Sequence, residues 1–528
     1  MNGNKICIVI VSLFVIAFAV SCAFFPAVKG EFIQWDDDHF VTGNVYLQKG
    51  PAADFLFKVS YGAFQPVVNA TFLLEYKAFG LNAAVFHTTN IVLHVLNCLL
   101  VFWLILLIGE NIPVALVTAL LFGLHPLRVE SVAWVSERKD VLYGFFFLLT
   151  LISYCFYLRK YSVKWYLGAI ALFALAMGSK VFAAPLPVVL FAMDYLLGRK
   201  WDRRMFLEKT PFFLLAIGGL ALAVRGLGGT FLVGEHGQRA VFQFMEPFYG
   251  LGLYLFKTLI PVDLSVVYPY PTRDILFYGM SAVSILSFCS IAAAAVSSMK
   301  YTRKFIFGFV LSILMVLPVL QIFPFLDAII ADRYTYIPAV GVSFVAAVGF
   351  FAIYRALSGR DRLLGMELMA ALVLVLFTLA FLTFQRTLVW KDTVTILSDT
   401  ITKQPDADVV HNNRGIAYLK RGDLDRAFSD YETEIKINPR YSHAYHNRGV
   451  IYQMRGDLDN AIADFTAAIE LDPTLMQPYS HRAIAYFDKR EYSKCMEDVR
   501  RATALGENIR PDFLTALEKA LEEDQRQP

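Results

Sequence analysis

Long apolar runs dominate the first 390 residues of this 528-residue chain. A helix needs about 20 consecutive apolar residues to cross a bilayer, and the first run, from Ile6 to Phe25, has that length. Ten further runs lie near residues 86–108, 112–124, 141–158, 165–179, 182–197, 210–226, 276–298, 305–323, 333–354 and 366–384. We therefore predict an all-α, polytopic membrane domain of about eleven spans. Residues 246–260 form a further run, which we interpret as re-entrant or interfacial.

Charged residues divide the chain into two parts. They make up 18% of the whole, against about 25% in soluble proteins. Residues 391–528 nevertheless contain 43 of them, and the first 390 residues contain only 50. We predict a membrane domain over residues 1–390 and a soluble domain over residues 391–528. The net charge of +3, without a basic arm, argues against a nucleic-acid partner.

The start of the chain has two interpretations. Ala19-Val20-Ser21-Cys22 loosely resembles a lipoprotein cleavage site. The surrounding apolar run exceeds the ~7–15 residues of a signal peptide, so we interpret it as an uncleaved first helix. The six cysteines are scattered and indicate neither a disulfide framework nor a zinc site.

Basic residues predict the orientation of the spans, because Lys and Arg accumulate in cytoplasmic loops. They cluster within residues 159–164, 199–209, 300–304 and 355–362. Eleven spans with a cytoplasmic N-terminus put all four clusters in the cytoplasm. The regions then expected on the outer side are the loop 26–85, the segments 125–140, 261–275 and 324–332, and the C-terminus.

The soluble domain has an internal period of 34 residues. Pro439 and Pro473 are separated by this distance, and so are Gly422 and Gly456. The period resembles the tetratricopeptide repeat, and it predicts about three repeats over residues 409–505 with a capping helix over residues 511–524. The concave face of such an α-solenoid is expected to bind a protein or peptide. A spacer or an oligomerisation module is the alternative.

Two charged segments carry the candidate chemistry. Asp36, Asp37 and Asp38 follow the first helix, where crowded carboxylates could supply a general base or hold a divalent cation. A solvated loop is the alternative interpretation. The second segment, residues 125–140, is rich in charges of both signs and could bind a lipid phosphate or anchor the membrane surface.

Three shorter motifs are expected on the same side. Gly178-Ser179-Lys180 is expected at the tip of a hairpin between two short spans. Tyr268-Pro269-Tyr270-Pro271 could stack on a sugar, and Asp332-Arg333 opens a span from outside. Each of these motifs alone is also explained by anchoring at the membrane interface.

Taken in order, these motifs resemble a known family. The order is an acidic loop, HPxxxExVAWVxxRxD, a Ser-Lys hairpin, LSxxYPYP, DRYxYxP and tetratricopeptide repeats. It is similar to that of the membrane O-mannosyltransferase-like proteins with transmembrane and tetratricopeptide repeats. These belong to the C-type glycosyltransferases, which use polyprenyl-phosphate-linked sugars on the outer or lumenal side.

The resemblance implies roles for particular residues. It makes Asp36 and Asp37 the catalytic pair, with Asp36 favoured as the base, and it makes Arg138 the main ligand of the donor phosphate. Asp38 is an additional carboxylate, so the register of the base stays open by one residue. Further phosphate-binding and supporting roles are implied for Lys180, Arg333, His125, Glu130, Asp140, Asn44 and Tyr336. Metal dependence differs among the relatives, and we assign no metal site.

The predicted function is transfer of a hexose such as mannose from polyprenyl phosphate to Ser or Thr hydroxyls of envelope or secreted proteins. The repeats would bind the acceptor. A non-enzymatic scaffold for envelope proteins is the alternative, and a lipid transporter would need charges along an interior path. The short N-terminus and compact loops favour a bacterial inner membrane with periplasmic repeats.

Overall fold

The computed structural model describes residues 3–57, 64–226, 240–271, 274–322, 328–407 and 409–526. Parts of three predicted outer segments, namely residues 58–63, 272–273 and 324–327, lie outside the described residues. The predicted all-α class is confirmed, since the regular elements of the described ranges are helices beside one isolated bridge between Tyr268 and Ile330. The chain divides into two compact units, Met1–Ile396 and Leu397–Pro528.

The first unit is a bundle of apolar helices around a buried core. Its α-helices are α1 Gly3–Phe24, α2 Val45–Gln48, α3 Ala52–Phe57, α4 Pro66–Phe79, α5 Ala83–Leu107, α6 Ile112–Gly123, α7 Val129–Ala133, α8 Arg138–Lys160, α9 Val163–Ser179, α10 Leu186–Leu196, α11 Arg203–Leu207, α12 Thr210–Gly226, α13 Ala240–Leu259, α14 Ile275–Ser298, α15 Lys304–Val316, α16 Pro338–Ser358 and α17 Arg362–Val389. The boundary between the units falls within the next helix, α18 Thr393–Lys403. Short 3-10 turns connect several of them, among them Val135–Glu137 and Asp332–Thr335.

Seven helices of the described residues are long and apolar enough to cross a membrane. A bent pair, Ile112–Gly123 with Pro126–Ala133, would raise that number to eight. Three other predicted spans correspond to the shorter apolar helices Val163–Ser179, Val181–Leu196 and Lys304–Val319. The chain is a multi-pass membrane protein, but the predicted count of about eleven spans is not confirmed, because helices this short rise less than the ~30 Å of a bilayer core.

A polar stripe on α5 organises the first unit. Asn90, His94 and Asn97 are fully buried at helical spacing on one face. The Asn90 amide donates to the Trp134 carbonyl at 3.0 Å, and the Asn97 amide donates to the Val141 carbonyl at 2.8 Å. Polar groups inside a membrane bundle pair across helices because lipid offers them no partner. The stripe thereby fixes the chain on both sides of the 125–140 segment.

The second unit is built from paired helices. They are α19 Val410–Lys420, α20 Leu424–Ile437, α21 Ser442–Met454, α22 Leu458–Leu471, α23 Met476–Asp488, α24 Tyr492–Ala504 and α25 Pro511–Arg526. A two-pronged Arg–Asp bond ties the helices of each pair together, with N···O distances of 2.7–2.9 Å. The bonded pairs are Arg414–Asp430, Arg448–Asp464 and Arg482–Asp498.

Small residues lie where the paired helices cross. A Cβ added at Gly449 would lie 2.8 Å from the Phe465 ring, so only glycine fits beside an aromatic side chain. The third pair has Ala483 in the place of that glycine and Val499 in the place of the ring. The smaller Val499 accommodates the methyl group, which explains the degraded motif of the third repeat.

Candidate functional site

Three cations from different elements surround one buried carboxylate in the first unit. Glu137, in the 3-10 turn before α8, has a side chain that is only 1% exposed. Its carboxylate oxygens lie 3.0 Å from Lys139 Nζ, 3.4 Å from Arg333 Nε and 3.7 Å from Lys180 Nζ. The three cations keep exposed fractions of 17%, 21% and 10%. We call Lys139, Lys180 and Arg333 the cation cluster.

Two further buried carboxylates pair with members of the cation cluster. Glu130 pairs with the Arg333 guanidinium and also accepts the Arg333 backbone N–H at 2.9 Å. Asp140 pairs with Lys180 and accepts the Ser131 hydroxyl at 3.1 Å. Both predicted supporting residues therefore belong to the charged network, as ion partners of the cations.

Asp37 is fully buried. Its carboxylate accepts the Ile33 backbone N–H at 2.8 Å, the Ser136 backbone N–H at 2.8 Å and the Ser136 hydroxyl. Burial raises the pKa of Asp37 to about 7, and the hydrogen bonds from Ser136 and Ile33 oppose that rise. Asp37 thus joins the acidic loop to the turn that carries Glu137.

Asp36 has a different environment from its neighbour. Its side chain is 30% exposed, and its carboxylate lies 3.9 Å from Lys139 Nζ at the edge of the cation cluster. Asp38 points elsewhere and accepts the Thr42 hydroxyl at 2.6 Å. The three consecutive carboxylates therefore have three different surroundings.

The acidic loop does not form a group of carboxylates around one point. Among the residues that the structure describes, three or more His, Cys, Asp or Glu side chains do not come together as metal ligands. Two of the lone-pair directions of Asp37 are already occupied by Ile33 and Ser136. The donor set therefore does not fit the divalent cation that the triplet could hold.

Arg138 points into the protein rather than into the cation cluster. Its guanidinium is buried and donates to Glu75 at 2.5 Å, to Asn90 at 2.9 Å and to the Phe86 carbonyl at 2.7 Å. It also lies over the Phe72 ring, 4.7 Å from its centroid. The Arg138 guanidinium is thus fully buried and bonded to three groups of the bundle.

Three further predicted residues serve the local structure. His125 Nδ1 accepts the Leu127 backbone N–H at 3.2 Å, which caps the turn after the bend. Asn44 caps the short helix Val45–Gln48 by accepting the backbone N–H of Tyr46 at 3.1 Å. The Tyr336 hydroxyl is buried among the polar stripe of α5, 2.8 Å from His94 and 2.9 Å from Asn97.

The Tyr-Pro motif braces the segment that carries Arg333. The Tyr268 hydroxyl donates to Asp332 at 2.8 Å and accepts the Ser265 backbone N–H at 2.9 Å. Burial raises the pKa of Asp332. Aromatic rings then enclose the cations, since Tyr334 lies 5.0 Å from Arg333 and Phe182 lies 5.0 Å from Lys180.

The sequence prediction assigned no role to Lys139, Glu137 or Ser136. All three lie within the predicted segment 125–140, next to the residue that the motif favoured. Adjacent residues of a helix point about 100° apart, so Lys139 faces the cations while Arg138 faces Glu75. The sequence shows that charges crowd in this segment, but it does not show in which direction each side chain points.

Both units of the chain have matches among known proteins. Residues 65–226 match the family described as dolichyl-phosphate-mannose-protein mannosyltransferase, and residues 442–475 match the tetratricopeptide repeat. A protein O-mannosyl-transferase of Caenorhabditis elegans is 24% identical, over 83% of this chain and 64% of its own length. The Homo sapiens protein O-mannosyl-transferase TMTC1 is 23% identical over 79% and 54%, and TMTC4 is 25% identical over 78% and 64%.

The chain thus spans less than two thirds of the length of these curated relatives. Matches occur in both units, to a mannosyltransferase family in the first and to the repeat family in the second. The predicted resemblance to O-mannosyltransferase-like proteins with tetratricopeptide repeats is confirmed.

Proposed function

We propose that this chain, a relative of the protein O-mannosyl-transferases, transfers a hexose such as mannose from a polyprenyl-phosphate donor to Ser or Thr hydroxyls of a protein. The observation that carries the proposal is the cation cluster with a partly exposed carboxylate, Asp36, at its edge. Such a site suits a phosphate-bearing donor, since cations bind phosphate and a carboxylate can accept a proton.

Asp36 is the general base of the proposed reaction. The acceptor hydroxyl oxygen attacks the anomeric carbon, its proton passes to the Asp36 carboxylate, and the bond from that carbon to the phosphate oxygen breaks. A single displacement of this kind inverts the anomeric configuration. Asp37 is less suited to be the base, because its oxygens are buried and bonded to Ser136 and Ile33.

Lys139, Lys180 and Arg333 stabilise the leaving phosphate. Negative charge builds on the phosphate oxygen as the bond to the sugar breaks, and fixed cations lower the energy of that transition state. This assignment keeps Lys180 and Arg333 in the role that the resemblance implied and replaces Arg138 by Lys139. Partial exposure of the three cations and burial of Arg138 support the change.

The repeats bind the acceptor protein in this proposal. The match of residues 442–475 to a repeat that commonly binds peptides supports it. The Lys and Arg distribution supports transfer on the outer face, with the repeats on the same side. The compact loops support a bacterial inner membrane, which would put the repeats in the periplasm.

The test compares two neighbouring carboxylates. Full-length wild-type protein, Asp36→Asn and Asp38→Asn are purified and incubated with polyprenyl-phosphate mannose and a Ser/Thr peptide, and the peptide mass is measured. We expect a hexose-sized mass gain with wild type and Asp38→Asn, and a loss of at least about 100-fold in rate with Asp36→Asn. Asp38→Asn is the matched control, since its carboxylate contacts Thr42 instead of the cation cluster.

Two results would contradict the proposal. Full transfer by Asp36→Asn would exclude Asp36 as the base. Absence of hexose transfer by well-folded wild type, together with acceptor binding through the repeats, would favour the scaffold alternative.

A further inference from the structure

Glu137 is the carboxylate that the three members of the cation cluster share. Lys139 comes from the first turn of α8, Lys180 follows α9, and Arg333 precedes α16. Each lies within 4 Å of the Glu137 side chain. The elements that carry these cations are far apart in sequence, so Glu137 is a common point between them.

Each cation also has a private carboxylate partner. Lys139 faces Asp36, Lys180 pairs with Asp140, and Arg333 pairs with Glu130. If Glu137 were neutral, each cation would be drawn toward its private partner and repelled by the other two cations.

One carboxylate oxygen of Glu137 has only a long contact to a cation. Oε2 is buried and has no hydrogen-bond partner among the described residues, and its nearest cation is Lys180 Nζ at 3.7 Å. Charges dominate the surroundings of Glu137, since the three cations lie around its carboxylate and the Asp140 carboxyl is a further neighbour.

We infer that Glu137 is a positioning residue, which holds Lys139, Lys180 and Arg333 in register so that they meet the charge developing on the leaving phosphate. The inference rests on the proposed function. It deepens that function by separating the groups that contact phosphate from the group that orients them.

The inference predicts an unusual separation of binding from turnover. Glu137→Gln removes a negative charge beside the phosphate, so the affinity for polyprenyl phosphate stays equal or increases. The three cations are then no longer held in fixed positions by one carboxylate, so kcat per binding site falls at least about tenfold. Glu137→Asp retains the charge with a shorter reach and recovers part of kcat.

The measurements are titration of polyprenyl phosphate and steady-state transfer, both on the full-length protein. Asp194→Asn is the matched control, because Asp194 is also buried and pairs with Lys209 and Arg199, around Tyr154 in the C-terminal half of α8. We expect its kcat per binding site to match wild type. A parallel loss of affinity and turnover in Glu137→Gln, or wild-type values for both, would overturn the inference.

A second readout does not depend on transfer. Lysines that lose an ion partner react faster with an amine-selective reagent, since less free energy then favours the charged ammonium. Glu137→Gln should increase labelling of Lys139, measured by peptide mass spectrometry, while Lys209 labelling stays constant. If wild type transfers no sugar, the proposed function fails, and unchanged labelling of Lys139 would overturn the positioning role separately.

Discussion

Two adjacent carboxylates of the acidic loop have different environments, which suit them to different roles. Asp36 and Asp37 are consecutive and chemically identical, yet Asp37 is buried against Ser136 while Asp36 stays partly exposed beside Lys139. Burial and fixed hydrogen bonds suit Asp37 to hold the loop. Exposure leaves the Asp36 carboxylate accessible to a substrate hydroxyl, as the proposed role of general base requires.

Asp37 predicts a pH dependence of stability. Its pKa rises from an ordinary value near 4 to about 7 on burial, so the folded state binds a proton that the unfolded state releases between those values. The contribution of Asp37 to the free energy of unfolding therefore falls as pH increases from about 4 to about 7 and is constant above that range.

The measurement is the thermal midpoint of detergent-solubilised wild type and Asp37→Asn between pH 4.5 and 8. The midpoint of wild type should fall relative to that of Asp37→Asn as pH increases, because Asn does not titrate. Asp36→Asn is the control for the loop. Parallel curves for wild type and Asp37→Asn would contradict the raised pKa.

The first turn of helix α8 determines which partners Arg138 and Lys139 contact. The helix begins at Arg138, and Lys139 follows on a different face. Arg138 reaches Glu75 and Asn90 inside the bundle, whereas Lys139 reaches Glu137.

Substitutions at these two positions should have different effects. Arg138→Gln leaves Glu75 as an unpaired charge in the bundle, which costs about 3–5 kcal/mol and lowers the amount of folded protein in the membrane. Lys139→Gln should keep that amount and lower the transfer rate about tenfold. Membrane-fraction immunoblots and peptide transfer assays measure both, and normal folding of Arg138→Gln would contradict its structural role.

The turn between the two helices of each repeat needs a residue that adopts a positive φ. Gly422 and Gly456 adopt φ values of +79° and +78° between paired helices. The third turn has Arg490 at the equivalent position, with φ of +63°. A side chain in this left-handed region is strained, whereas glycine adopts it freely.

Arg490→Gly should therefore stabilise the third helix pair by about 1 kcal/mol. Hydrogen exchange of the full-length protein would report slower exchange in Met476–Asp488 and Tyr492–Ala504. The reciprocal variant Gly456→Arg should accelerate exchange in the second pair by a similar free energy. Faster exchange in Arg490→Gly would show that the arginine side chain stabilises the turn.

The whole molecule joins a membrane unit to a repeat unit in one chain. If the repeats bind the acceptor, the linkage increases the effective concentration of acceptor near the membrane site without changing the chemistry. The contribution of the repeats should then depend on the size of the acceptor.

A truncated chain that ends at Lys403 and keeps α18 complete tests whether the repeats bind the acceptor. We expect transfer to a short Ser/Thr peptide to stay within about twofold of wild type, while KM for a folded acceptor protein increases about tenfold. Equal losses for both acceptors would mean that the repeats support the membrane unit instead.

Local pattern was sufficient to predict the helical elements. The 34-residue period predicted the paired helices and their crossings, because each repeat contacts mainly its neighbours. Apolar runs likewise predicted where α5, α8, α14 and α17 lie. The number of spans was less predictable, because α9, α10 and α15 are apolar but short.

The sequence by itself determined the all-α class, the membrane character and the repeats, since these depend on composition and periodicity along the chain. It also located the charged segment that forms the site. Only the tertiary structure decided that Arg138 is buried with Glu75 and that Lys139, Lys180 and Arg333 meet at Glu137. Periodicity describes neighbours in sequence, whereas burial and charge contacts join residues as far apart in the chain as Glu137 and Arg333.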